Sequence, residues 1–208
     1  MYDASTTIKG FLDAAAAKQP APGGGSVTAL VGALAASMGE MVLNYSIGKK
    51  DLAAYAPELQ TALAEFARAR AMLLELMIED QAAYGAMAAL RKLPADSAER
   101  KDKFDATLLT CIRAPEAMAA AAVAVLERCD GLVDKVNVYL LSDLAVCAEL
   151  AMATVRCGVY NVRVNLPDVV DPADKASMRA TMDTMRSRAT MLVQRLMPRI
   201  WRRIETPG

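Results

Sequence analysis

The 208-residue chain contains no histidine. That excludes the commonest general base, the usual zinc ligand and every histidine-dependent triad. Aromatic residues make up only 5% of a chain that is 54% hydrophobic, so alanine, leucine, valine and 13 methionines must fill the interior. Small side chains let helices approach closely, and this composition favours an all-α bundle over a sandwich or barrel. Net charge is absent too: 24 basic residues balance 24 acidic ones, so no global field draws the chain to nucleic acid or an anionic membrane. The four cysteines (Cys111, Cys129, Cys147, Cys157) form no C-x-x-C pair and read as reduced, small core residues. The opening "MYDASTTIKGF" has no basic segment followed by an apolar one, and the apolar run after Gly25 is broken by Ser37, Gly39 and Glu40. A cytoplasmic chain without a membrane span is expected. Any catalysis must then use carboxylates, lysines, amides and hydroxyls.

What is present is helical periodicity, punctuated by proline and glycine, through residues 1–208. There is no internal repeat and no domain boundary, so one domain of about seven helices is predicted. They start near Thr6, at Ser26, at Pro57, in the charged stretch "ADSAERKDKFDATLL", at Pro115, near Ser142 and at Asp171–Pro172. Ser26 is a good capping residue, and Pro57 occupies the first-turn position favoured at helix starts. The segments "VNVYLL" and "YNVRVNL" alternate as strands do, but each is short and flanked by helical pattern.

Three helical stripes carry polar residues where apolar ones are expected. On the second helix, Val27, Val31, Leu34, Met38, Met41 and Tyr45 form one apolar face. Ser26, Ala33, Ser37, Glu40 and Asn44 share another, too small-sided for an ordinary solvated face. On the third helix, Asp80 interrupts a stripe of Phe66, Leu73, Met77, Tyr84 and Met87. A carboxylate among core positions is costly unless it is paired or lines a cavity. On the sixth, Asp143, Cys147, Leu150, Thr154, Gly158, Asn161 and Asn165 align, and Gly158 there suggests a close approach. Together the stripes predict a polar cleft between helices.

Ahead of the second helix stands "PAPGGGS", Pro20 to Ser26. Successive backbone N–H groups at a helix N-terminus form a concave donor site for a carboxylate, a ring carbonyl or an oxyanion. A tight connection between crossing helices explains one or two glycines but less readily three. Lys49 and Lys50, in "IGKK" just past the same helix, complement its dipole and could also neutralise an anionic substrate.

These segments together resemble the cyclodeaminase/cyclohydrolase family of folate one-carbon enzymes. The resemblance rests on "PAPGGGSVTALVGALAASMGEMV", "NYSIGKK", "ED" followed by "AAY" at Glu79–Tyr84, and "SDLAVCAELAMATVRCGVYNVRVNL". It implies an all-helical, self-associating protein, expected as a homodimer, with a cleft for tetrahydrofolate and neither metal nor redox cofactor. Carried onto this chain, Asp80, Asp143, Lys49 and Lys50 are the candidate acid-base groups. Pro22, Gly23, Gly24, Gly25, Ser26, Asn44, Tyr84, Ser142, Asn161 and Asn165 are the candidate substrate contacts. Hydrolysis of 5,10-methenyltetrahydrofolate is the first expected activity, and formimidoyltetrahydrofolate cyclodeamination the second. A non-catalytic folate-binding or scaffold dimer is the third reading, and nucleic-acid binding through the terminal arginines is the weakest.

Overall fold

A computed structural model describes residues 1–206, and every described segment is helix, turn or connection. The six α-helices are α1 (Ile8–Ala16), α2 (Gly24–Asn44), α3 (Ala56–Lys92), α4 (Ala98–Leu132), α5 (Leu141–Arg163) and α6 (Pro172–Glu205). Short 3₁₀ turns at Lys50–Tyr55, Val138–Leu140 and Leu166–Asp168 link them. The starts follow local chemistry. Thr7 caps α1 by accepting from the Gly10 N–H, Asp171 caps α6 by accepting from Ala173 and Asp174, and Pro57 lies in the first turn of α3.

The count is six rather than about seven because the charged helix and the one expected to open at Pro115 are a single helix, α4. A proline inside a helix orphans the carbonyl four residues back. Here that carbonyl belongs to Cys111, and the Asn165 side-chain amide donates to it at 3.4 Å. The same turn explains Gly158, since a Cβ there would lie 2.9 Å from the Pro115 carbonyl oxygen and 3.0 Å from the Ala119 Cβ.

α2 is the central element, packed against α3, α5 and α4. Hydrogen bonds from Asn161 to Thr28 at one end, and from Asn137 to Ser46 and Tyr45 at the other, make α2 and α5 antiparallel. Contacts of Asp80 with Ser26 and of Arg70 with Glu40, towards the two ends of α2, make α3 antiparallel to it as well. A seven-residue spacing governs the α2–α3 seam. Asp80, Leu73 and Phe66 of α3 lie over Gly25, Gly32 and Gly39 of α2, each where a Cβ would stand. Large side chains from one helix fill the gaps left by glycines on the other, which brings the two axes close.

This packing reverses the expected orientation of α2. The buried side carries Ala29, Gly32, Ala33, Ala35, Ala36 and Gly39, whereas Val27, Leu34 and Tyr45 are exposed and Val31, Met38 and Met41 half-buried. A helix enclosed on three sides has room only for residues without bulk, so its large apolar stripe turns outward. The small polar stripe is not one cleft either. Ser37 donates back to the Ala33 carbonyl and Glu40 accepts from Arg70, leaving only Ser26 beside a cavity. By length and composition α2, α4 and the segment Val138–Asp168 could each cross a membrane, but all three lie within the bundle.

Elsewhere the arginine-rich end of α6 is largely engaged. Arg195 and Arg199 pair with Asp130, Arg199 also with Asp134, and Arg188 with Glu127, all on α4 or just beyond it. Two cysteines depart from the core expectation, since Cys157 is exposed and Cys111 half-buried. Cys129 and Cys147 are buried thiols whose sulfurs lie 3.4 Å apart.

A direct test of the seam is Gly39→Ala. Its methyl would meet the Phe66 ring at 2.8 Å, and overpacking of this kind costs roughly 1–3 kcal/mol. The urea midpoint should fall accordingly. An unchanged midpoint would mean that the seam is not tightly packed.

Candidate functional site

Where α2 begins, the glycine seam ends in a carboxylate instead of an apolar side chain. Asp80 lies so close over Gly25 that a methyl group at residue 25 would fall on its carboxyl atoms. The Ser26 hydroxyl donates to Asp80 Oδ2 at 3.3 Å, and the Ser26 backbone N–H also hydrogen-bonds to it. Burial raises the carboxyl above its ordinary 3.8, and the two Ser26 hydrogen bonds hold that rise down. The N-cap, Gly23, offers no side-chain acceptor to the first turn of α2, so that turn keeps donor capacity for a ligand.

Around this carboxylate is a cavity of about 390 Å³ lined by Gly23–Ser26, Asp80, Tyr84, Asn161 and Asn165. The sequence pointed to all of these. Asp80 is its single acidic lining residue and Arg91 its single basic one. Asn161 sits across the glycine turn, with its Nδ2 donating to Thr28 at 3.1 Å and its Oδ1 3.3 Å from where a Gly24 Cβ would be. Asn165 donates to the carbonyls of Asn161 and Cys111. Pro22 is buried in the connection leading into Gly23.

Gln81, Arg91 and Cys111 also line the cavity and had no signature in the sequence. Gln81 is buried and clamps the N-terminal segment, accepting from the Tyr2 N–H at 2.7 Å and donating to the Tyr2 carbonyl at 2.8 Å. Nothing in helical phase distinguishes it from an ordinary surface glutamine. The Cys111 thiol is pushed up by burial and, secondarily, by the nearby Asp80 charge.

The other candidates do not join this cavity within one chain. Asp143 begins α5 and Asn161 nearly ends it, about 27 Å apart along the helix. Asn44 ends α2, about 30 Å from Gly24, and Lys49 and Lys50 follow just beyond it. Ser142 and Asp143 occupy that same far end, because Asn137 ties the start of α5 to Ser46. Lys49, Lys50 and Asp143 form no ion pair among the described residues. Of the α5 stripe, Cys147, Thr154 and Gly158 are core, and only Asn161 and Asn165 open onto the cavity.

A larger groove of about 510 Å³ between α3 and α4 is less suited to a ligand. Two of its charged residues, Glu65 and Arg128, already pair with each other, and Glu127 pairs with Arg188.

Comparison with known proteins gives a consistent result. The family model described as formiminotransferase-cyclodeaminase matches residues 7–184. A methenyltetrahydrofolate cyclohydrolase of Methylorubrum extorquens is 29% identical over 194 residues, covering 91% of this chain and 93% of that protein. A formimidoyltransferase-cyclodeaminase of Sus scrofa is 28% identical over 197 residues, covering 91% of this chain but only 36% of that longer protein. The crystal structure of formiminotetrahydrofolate cyclodeaminase from Thermotoga maritima matches with a TM-score of 0.86, covering 95% of this chain and 96% of that one. At 24% identity this last match is a likeness of fold.

Proposed function

Because the chain belongs to the formiminotransferase-cyclodeaminase family, we propose that the Asp80 cavity binds a tetrahydrofolate derivative and hydrolyses 5,10-methenyltetrahydrofolate to the 10-formyl compound. The observation that carries this reading is a half-buried carboxylate, set against a helix N-terminus, as the single acidic group lining a cavity of this size. Water adds to the cationic methenyl carbon, and a base must take its proton as the C–O bond forms. The resulting tetrahedral carbon then releases one folate nitrogen, which must receive a proton. Asp80 is suited to the first task and, once protonated, to the second. Its raised pKa lowers the energetic cost of alternating between the two forms near neutral pH. Its negative charge also favours the substrate cation. Neither step calls on a metal or a cofactor.

Cyclodeamination is the second reading, favoured by the relatives that carry that name. There the second folate nitrogen attacks a formimino carbon and ammonia leaves, again through a tetrahedral carbon. One spectroscopic experiment separates the two. Loss of the methenyl absorbance with purified protein supports hydrolysis, its appearance from formimidoyltetrahydrofolate supports cyclodeamination, and inactivity in both directions removes the enzymatic reading.

The same proposal includes a homodimer. The outward stripe runs from Val27 through Leu34 of α2 to Tyr45 just after it, and exposed Val146 and Tyr160 of α5 and Val164 just after it add to this apolar surface. A twofold axis near Leu34, the midpoint of α2, would set the glycine turn of one copy against the Lys49, Lys50 and Asp143 end of the other. That arrangement covers the apolar stripe and unites the two clusters that one chain keeps apart. Leu34→Glu should therefore give a monomer by light scattering and lose activity. Mixed Asp80→Asn and Asp143→Asn copies should regain part of it. A fully active Leu34→Glu monomer would contradict the arrangement.

A further inference from the structure

Four cavity residues lie on one side of α3 at helical spacing: Asp80, Tyr84, Met87 and Arg91. Asp80 is at the inner end, against the start of α2, and Arg91 is at the rim, about 16 Å further along the axis. Between them come the ring of Tyr84 and the thioether of Met87, an aromatic and an apolar surface. Arg91 is the single cation lining the cavity, and it is held in place. One of its terminal nitrogens donates to Asp168 Oδ2 at 2.7 Å. Asp168 belongs to the 3₁₀ turn that directly follows Asn165, itself a lining residue. The guanidinium has five N–H donors in a planar fork, and its Nε and second terminal nitrogen have no partner among the described residues.

We infer that Arg91 is the carboxylate-binding residue of the cavity, receiving the glutamate end of the folate. This rests on the folate reading above. Extended along α3, such a molecule places its reacting carbon near Asp80 and its aminobenzoyl ring beside Tyr84 and Met87. Its terminal carboxylate then reaches the free edge of the guanidinium. Asp168 fixes the plane of the fork through one terminal nitrogen and leaves the other terminal nitrogen to donate a charge-assisted hydrogen bond to a carboxylate. Within one chain Arg91 lines the cavity, whereas Lys49 and Lys50 stand at the opposite end of the bundle.

The test compares two ligands by calorimetry: tetrahydrofolate, and tetrahydropteroyl methylamide, which has the same rings but a neutral amide in place of the glutamate. Wild type should bind tetrahydrofolate about tenfold or more tightly, the range for a charge-assisted hydrogen bond. The preference should shrink with added salt, because the pair is at the rim. Arg91→Gln should reduce the preference to within about twofold by weakening tetrahydrofolate alone, and in turnover it should raise KM with little change in kcat. Equal weakening of both ligands by Arg91→Gln, or no preference in the wild type, overturns the assignment while leaving the folate reading intact. If the wild type binds neither ligand, both readings fall together.

Discussion

Asp80→Asn is expected to lower turnover by about 10²-fold or more with the fold and the Gly25 contact preserved, since the amide has nearly the same shape. The loss should fall on kcat, because a positioned proton acceptor acts in the transition state. Were Asp80 only to balance the substrate cation, KM would rise instead and kcat would survive. Stability should move the other way. Burial lifts this carboxyl above 3.8, so folding favours its protonated form. Its contribution to stability is therefore greatest below the unfolded value and declines as pH rises through the folded one. The asparagine variant has no such decline, so its Tm should gain on wild type as the pH rises above the ordinary carboxyl value of 3.8. A gap that stays constant over that rise would show that Asp80 is not buried as described.

Gly25→Ala should have an effect of similar size from a single methyl group. That methyl would occupy the space of the Asp80 carboxyl, which must swing away from Ser26 and from the α2 N-terminus. Displacing a catalytic group by about 1 Å can cost about 10²-fold. The helix itself gains from alanine by up to about 1 kcal/mol, so the chain should remain folded. The decisive measurement is the pair. In an Asp80→Ala background Gly25→Ala should cost no further activity, because the collision has been removed. Additive losses would mean that Gly25 serves the ligand directly and not through Asp80.

Much of the site was legible because two signals coincide on one helix start. Three glycines ahead of Ser26 marked the mouth of α2, and Asp80 broke an otherwise apolar stripe. The structure brings those two features into contact. Tyr84 came from the family resemblance, and Asn161 and Asn165 from the stripe they share with Asp143. Arg91 and Gln81 did not, because a long polar side chain at the end of a helical stripe reads the same whether it faces solvent or a cavity. Asp143, Lys49 and Lys50 were grouped with Asp80 by motif, and a motif carries no distance. Two antiparallel helices of more than 20 residues put them about 30 Å away.

Residue by residue, the chain alone determined the all-helical class, most helix ends and a pair of candidate carboxylates, Asp80 and Asp143. These depend on periodicity, capping and the cost of burying a charge, all of which act within a few residues. Only the tertiary structure decided which face of α2 turns inward, whether Pro115 ends a helix, and which end of the bundle holds the cavity. Each of these turns on a partner distant in sequence. α3 fills the heptad glycines, Asn165 satisfies the Cys111 carbonyl, and the antiparallel pairing of α2 with α5 brings Asn161 to Gly24. A small-residue stripe is equally compatible with solvent, a cleft or a close helix contact. What packs against it settles the matter, because buried volume and unmet hydrogen bonds are properties of the assembled pair of surfaces and not of either helix alone.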